Sequence, residues 1–313
     1  MEKIIFDTDP GIDDAMALLL IHAMPTLQVL GITTVFGNAS VETCTRNALY
    51  ICERFGLPYN VYEGAGKTYR GHEEDSYPDF VHGVNGLGDI ELGPVMSSKC
   101  DQSAVDFLIE QAYLLEQLSV LAVGRMTNLA SAIEKDPGIA QRLSRIVIMG
   151  GAIDVEGNVS PWAEANIFGD PEAADIVFKS GVPIDLVPLD ATLVNVVTRQ
   201  ALSTLTQDMG DAGEFLWSIK QHYLAFYNTK GRGDVFPMHD SSAALAMTHP
   251  ELFEWRAGQL SCVLEGEARG KTELYPSEKA SHRVAVNANQ AACWAVVQQA
   301  LADHFGRIEK FSS

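Results

Sequence analysis

The sequence predicts an α/β protein of three layers, with a mostly parallel central sheet flanked by helices. Three observations predict it. Short β-branched runs alternate with longer amphipathic ones, the strand–helix rhythm of a parallel sheet covered on both faces. Gly56 and Gly181 mark helix stops, each just before the next strand. No Pro/Ser-rich linker, composition shift or internal repeat divides the chain, so residues 1–313 read as one domain.

Taken in order, "KIIF" is a strand followed by the helix "DDAMALLLIHAM", and "LQVLGITTVF" is followed by "SVETCTRNALYICERFG". "SVLAVG" precedes "NLASAIEKD", "RIVIMGG" precedes "DPEAADIVFKSG", and "PIDLVPLD" precedes "TRQALSTLTQDM". Three stretches break the rhythm. "AGKTYRGHEEDSYPDFVHGVNGLGD" is long and Gly-rich, "FYNTKGRGDVFPMHD" reads as an aromatic and basic loop, and "EGEARGKTELYP" reads as strand edges around a turn. Such loops usually cover sites beyond the carboxyl ends of the strands.

The chain is 47% hydrophobic with a mean hydropathy of +0.03, enough to bury a sizeable core. Basic residues number 22 against 41 acidic, giving a formal charge of -19. That balance argues against DNA, RNA and anionic membrane faces as partners. "AMALLLI" is far short of a membrane span, and Met1-Glu2-Lys3 runs straight into the first strand without room for a signal peptide. Cys44, Cys52, Cys100, Cys262 and Cys293 are scattered and odd in number, as expected of reduced thiols in the cytoplasm.

The chemistry concentrates in "DTDPGIDDA". A strand ends in Asp7-Thr8-Asp9, Pro10-Gly11 turns the chain, and Asp13-Asp14 open a helix. One or two carboxylates suit a helix N-terminus, but four crowd it. Like charges this close disfavour ionisation unless something positive compensates, and no Lys or Arg stands between Lys3 and Arg46. A hard divalent cation in an oxygen cage, calcium or magnesium, is the economical answer. Adjacent helix residues point about 100° apart, so Asp13 and Asp14 need not share a job. A phosphatase of the haloacid dehalogenase type also begins with a strand and a DxD pair. It expects Thr or Val two places after the second Asp, where Gly11 stands here.

"DTDPGIDDA" closely resembles the signature of the calcium-dependent, inosine–uridine preferring nucleoside hydrolases. "ITTVFGNASVETCTRNA", "VHGVNGLGD", "LAVGRMTNLA", "RIVIMGGAIDVEGNVSPWAEANIFGDPEAA" and "PMHD" resemble further family blocks in the family's order. The resemblance implies Ca2+-dependent cleavage of a ribonucleoside to free base and ribose, a Rossmann-like core, and a homodimer or homotetramer. It places the calcium ligands on Asp9, Asp14, Asp240 and the main-chain carbonyl of Val123, with Asp13 as general base. Asp7 falls outside that set and reads as support. Calcium would orient and acidify a water and grip the ribose 2′- and 3′-hydroxyls.

The same resemblance places the ribose clamp on Asn38, Glu164, Asn166 and Asp240, closed by Asn158 and Met149. Each has a plainer reading: Asn38 and Asn158 as turn residues, Met149 as core, Glu164 as a solvated loop acid. His239 and His82 match histidines near the leaving base, and Tyr223 and Tyr227 fall in the loop region that covers it. Arg125-Met126 and "GVNG" depart from the commoner Pro-Leu and Gly-Glu-Ser-Gly, which bears on purine against pyrimidine preference. No GxGxxG or GxxxxGK[ST] loop indicates another cofactor. A nucleoside- or ribose-binding homologue without catalysis is the alternative, and Asp13 is the residue such a protein would not need.

Overall fold

A computed structural model describes residues 1–277 and 281–306. The first half of the chain runs β1 (Glu2–Thr8), α1 (Ile12–Ala23), β2 (Leu27–Thr34), α2 (Val41–Phe55), β3 (Val61–Glu63), α3 (Asp79–His82), α4 (Ala104–Leu114), β4 (Leu118–Ala122), α5 (Thr127–Lys135) and β5 (Leu143–Met149). It continues through α6 (Ala165–Gly169), α7 (Pro171–Phe178), β6 (Ile184–Val187), α8 (Leu189–Thr192), β7 (Val196–Thr198), α9 (Arg199–Thr206) and α10 (Gly210–Thr229). The last elements are β8 (Val235–Pro237), α11 (His239–Thr248), β9 (Phe253–Cys262), β10 (Thr272–Tyr275), β11 (His282–Ala288) and α12 (Gln290–Phe305).

Among the described residues, a 9-stranded sheet has the order β10-β9-β11-β6-β5-β4-β1-β2-β3. Neighbours from β11 across to β3 are parallel, and the antiparallel pairs β11–β9 and β9–β10 close one edge. The fold is the expected α/β arrangement. "EGEARGKTELYP" holds the turn after β9 and the whole of β10, as the strand-edge reading anticipates.

The central strands are apolar runs because both faces are covered. Ile4, Ile5 and Phe6 of β1 are fully buried, Ile4 and Phe6 in one cluster and Ile5 in the other. One face carries α1, α10, α11 and α12, and the other carries α4, α5 and α7. The helix ends follow local chemistry. Ser40 accepts the Thr43 amide at the start of α2, and Gly56 takes the left-handed conformation (φ 62°) that stops it. Asp170, followed by Pro171, caps α7.

The topology fixes the site. From β1 the chain steps outward to β2 and β3, then returns to β4 on the other side of β1. The crevice at the carboxyl ends of β1 and β4 is a topological switch point, where open parallel sheets bind ligands. Asp9 leaves β1 there, and Val123 leaves β4.

Two corrections to the sequence reading arise at this level. Tyr223 and Tyr227 do not lie in a loop; they sit on α10, whose Leu216, Ile219, Tyr223, Leu224 and Tyr227 form a buried helical stripe. The loop read from Phe226 onward begins only after Thr229. The Gly-rich stretch after β3 is irregular as expected, apart from the short α3 that carries His82.

Candidate active site

The four aspartates of the first turn have different environments. Asp7 accepts from the Thr33 hydroxyl and, at 2.8 Å, from Asn128 Nδ2. Burial pushes its pKa up to about 6, against those two hydrogen bonds. Asn128 also donates to the Thr34 carbonyl and accepts the Ala65 amide, so Asp7 braces the loops following β2 and β3.

Asp14 works back on its own turn. Its Oδ1 accepts from the Thr8 hydroxyl at 2.6 Å, and its Oδ2 accepts from the Gly11 amide at 3.0 Å and Asn38 Nδ2 at 2.9 Å. Asp9 Oδ2 accepts the Asn38 amide at 2.8 Å, whereas Asp9 Oδ1 is buried with no hydrogen-bond partner among the described residues. Gly37 and Gly124 press against this carboxylate: a Cβ at Gly37 would stand 2.1 Å from Oδ2, and one at Gly124 2.7 Å from Oδ1. Glycine at both positions lets backbone approach Asp9 from two sides.

Asp13 faces elsewhere, as the offset between neighbouring helix positions requires. Its Oδ1 accepts from Lys220 Nζ at 2.9 Å, and its Oδ2 accepts the amides of His239 at 2.9 Å and Asp240 at 3.2 Å. Burial opposes its ionisation, but Lys220, His239 and these hydrogen bonds outweigh it and hold the pKa below the usual carboxylate range. No Lys or Arg stands between Lys3 and Arg46, and the compensating charge at Asp13 comes instead from Lys220 of α10. The residue was legible in principle, because a lysine among Leu216, Ile219, Tyr223 and Leu224 lies on the apolar face of its helix.

Asp240, in the first turn of α11, completes the acidic group. Burial raises its pKa well above normal, and the charges of Asp14, Asp13 and Asp9 add to the effect. Burial and the Asp14 charge likewise raise Asp9, with Arg125 acting in the opposite direction. Arg125, at one of the positions departing from the family pattern, therefore reaches the site electrostatically. Its guanidinium lies 4.2 Å from the Phe36 ring centre and pairs with Glu74.

The second half of the chain delivers the other predicted residues. Asn166 Nδ2 donates to the Val123 carbonyl at 2.6 Å and the Met149 carbonyl at 3.1 Å, joining the ends of β4 and β5. Glu164 is buried rather than solvated. Its two oxygens accept the amides of Gly151, Asn166 and Ile167, capping α6. Met149 is buried at the end of β5 with its sulfur against Asn166. Asn158 is exposed, and its Oδ1 accepts the Ala165 amide at 2.9 Å.

Both histidines are neutral. His82 Nδ1 accepts the Ile12 amide at 3.2 Å, and burial drives its pKa down to about 3. That bond assigns the proton of the neutral ring to Nε2. His239 lies between the Thr192 hydroxyl, 2.8 Å from Nδ1, and the Tyr227 hydroxyl, 2.9 Å from Nε2. Burial holds it near 4. The Tyr223 and Tyr227 rings meet edge to face at 4.9 Å beside it.

As they stand, the described residues contain no group of three or more His, Cys, Asp or Glu side chains gathered as a metal site. Asp14 is satisfied by Thr8, Gly11 and Asn38, and the Val123 carbonyl by Asn166. The donor chemistry nevertheless fits a hard cation. Asp9, Asp14 and Asp240 are each buried, Asp240 feels the charges of the other two, and Asp9 Oδ1 has no partner among the described residues.

Buried acids at the switch point of a parallel sheet, beside tyrosine and histidine, fit an α/β enzyme that binds its ligand there. Comparison with known proteins defines which. Residues 4–295 match the family model described as inosine-uridine preferring nucleoside hydrolase, and the chain belongs to that family. It is similar to uridine nucleosidase 1 of Arabidopsis thaliana, 41% identical over 87% of this chain and 81% of that one. Probable uridine nucleosidase 1 of Oryza sativa subsp. japonica is 40% identical over 87% of this chain and 84% of its own. A purine-preferring ribonucleoside hydrolase from Gardnerella vaginalis superposes with a TM-score of 0.93 at 32% identity, covering 98% of this chain and all of that one. The protein is thus an enzyme of the glycosidase type that hydrolyses nucleosides. The phosphatase and binding-only readings fall away. None of the described helices is long and apolar enough to cross a membrane.

Proposed function

We propose that the chain hydrolyses the N-glycosidic bond of ribonucleosides to free nucleobase and ribose with calcium at the switch point. What supports this reading is that Asp9, Asp14 and Asp240 are all buried, that Asp240 feels the charges of the other two, and that Asp9 Oδ1 has no partner among the described residues. These three carboxylates and the Val123 carbonyl would hold calcium, which supplies Lewis acidity toward water and the ribose hydroxyls.

Asp9 suits the role of base better than Asp13. A base needs a lone pair that no other protein group occupies. Asp9 Oδ1 accepts no hydrogen bond among the described residues and would have lone pairs for both the cation and a water, while both Asp13 oxygens already accept hydrogen bonds from the protein. Asp13 then serves as a fixed acceptor for a ribose hydroxyl. Asn38 holds Asp9 and Asp14 in register and presents its amide to the sugar with Asn166 and Asp240. Glu164 acts through the Asn166 it caps, Met149 supplies an apolar wall, and Asn158 fixes the segment leading to them. At the base end, His82 Nε2–H and the His239–Tyr227 pair would offer hydrogen bonds to the departing ring, and Tyr223 a face beside it. A deoxyribonucleoside leaves sugar-binding groups unpaired and should be a poorer substrate.

Exposed Phe80, Val84 and Trp162 are in keeping with the homodimer or homotetramer implied by the resemblance, which light scattering would test. The division between the acids is tested by Asp9→Asn and Asp13→Asn with uridine. Asp9→Asn should lower kcat by about 10²–10⁴-fold. Turnover that survives in Asp9→Asn but is lost in Asp13→Asn returns the base role to Asp13.

A further inference from the structure

Lys220 is fully buried, and its Nζ lies 2.9 Å from Asp13 Oδ1. The ammonium group also lies 4.7 Å from the Tyr223 ring centre and 4.6 Å from that of Phe236. A lysine on the core face of a helix is costly to desolvate, and a hydrophobic pair of similar volume is often at least as stable. Stability alone is therefore a poor reason for the pair. Its placement suggests another.

Three elements meet at Asp13. The carboxylate stands on α1, one oxygen is held by Lys220 from α10, and the other by the first two amides of α11. α10 also carries Tyr223 and Tyr227, and α11 carries His239 and Asp240. We propose that Lys220 is a positioning residue: it locks the Asp13 carboxylate in one orientation and ties the helix facing the nucleobase to the turn facing the sugar. This rests on the ribonucleoside reading above. Without Lys220, Asp13 keeps its two amide donors but can rotate about them, and the two ends of the substrate lose a rigid cross-brace. A cation held between an acid and two aromatic rings does this better than a neutral donor, because the ion pair and both rings constrain its position.

The test is a double-mutant cycle of Lys220→Met and Asp13→Asn, with kcat and KM measured on uridine and the folded state checked by near-UV circular dichroism. Wild-type turnover in the same series decides the parent reading separately. For Lys220→Met the expected result is a loss of about 10²-fold in kcat with a much smaller change in KM. Adding Lys220→Met to Asp13→Asn should change kcat by no more than about twofold, because the lysine acts only through that acid. If Lys220→Met does not fold, the neutral double variant against Asp13→Asn still decides. A near wild-type kcat in Lys220→Met, or a full further loss in the double variant, would overturn the proposal.

Discussion

At the scale of single residues, the site depends on groups held in unusual states by burial. His82 is the simplest to follow, because burial keeps its imidazole neutral down to about 3. In the unfolded chain the ring binds a proton below about 6.5. The unfolded state therefore takes up more protons as the pH falls, and this group's contribution to stability is lost progressively below that value. His82→Asn removes the titration while leaving an oxygen able to accept the Ile12 amide. Urea unfolding at about pH 7 and about pH 5 should show the variant losing about 2 kcal/mol less stability than the wild type over that interval. Equal losses would mean that His82 already titrates normally in the folded protein.

At the scale of elements, α6 shows how a very short helix can place a functional residue. Its five residues depend on Glu164, whose carboxylate accepts three backbone amides. Glu164→Ala should cost about 1–2 kcal/mol in thermal or urea unfolding, at the upper range for a cap. It should also raise KM more than it lowers kcat, because Asn166 loses its fixed position; an unchanged KM would separate the cap from substrate binding. This role was only half legible in the sequence. "AEANIFGDPEAA" singled out Glu164 and Asn166, but nothing local says that the acid caps the helix carrying the amide. The first turn was more legible, since strand, Pro-Gly and helix follow directly from "KIIFDTDPGIDDA". Residues reached over long separations were less so. Lys220 lies 207 positions from Asp13, and only the packing of α10 against α1 brings them together. The resemblance places Tyr223 and Tyr227 in a loop region, whereas they lie on α10, whose helical stripe the aromatic and polar "FYNT" obscures in the sequence.

At the scale of the molecule, the order of the strands does most to create the site. Because β4 returns beside β1, Asp9 and the Val123 carbonyl leave adjacent strand ends, and α11 brings Asp240 to the same crevice. No local pattern contains that arrangement, although the alternating strands and helices made a switch point expected somewhere along the sheet. The sheet thus gathers buried negative charge that the internal cations offset only in part: Lys220 is committed to Asp13, and Arg125 to Glu74. That imbalance is the physical basis for expecting calcium. The most direct test is release of reducing sugar from uridine, inosine, adenosine and cytidine, with and without a calcium chelator. The predicted result is ribose release from at least one of them, abolished by the chelator and restored by added calcium. No release from any of the four with calcium bound, or release that the chelator leaves unchanged, would contradict it.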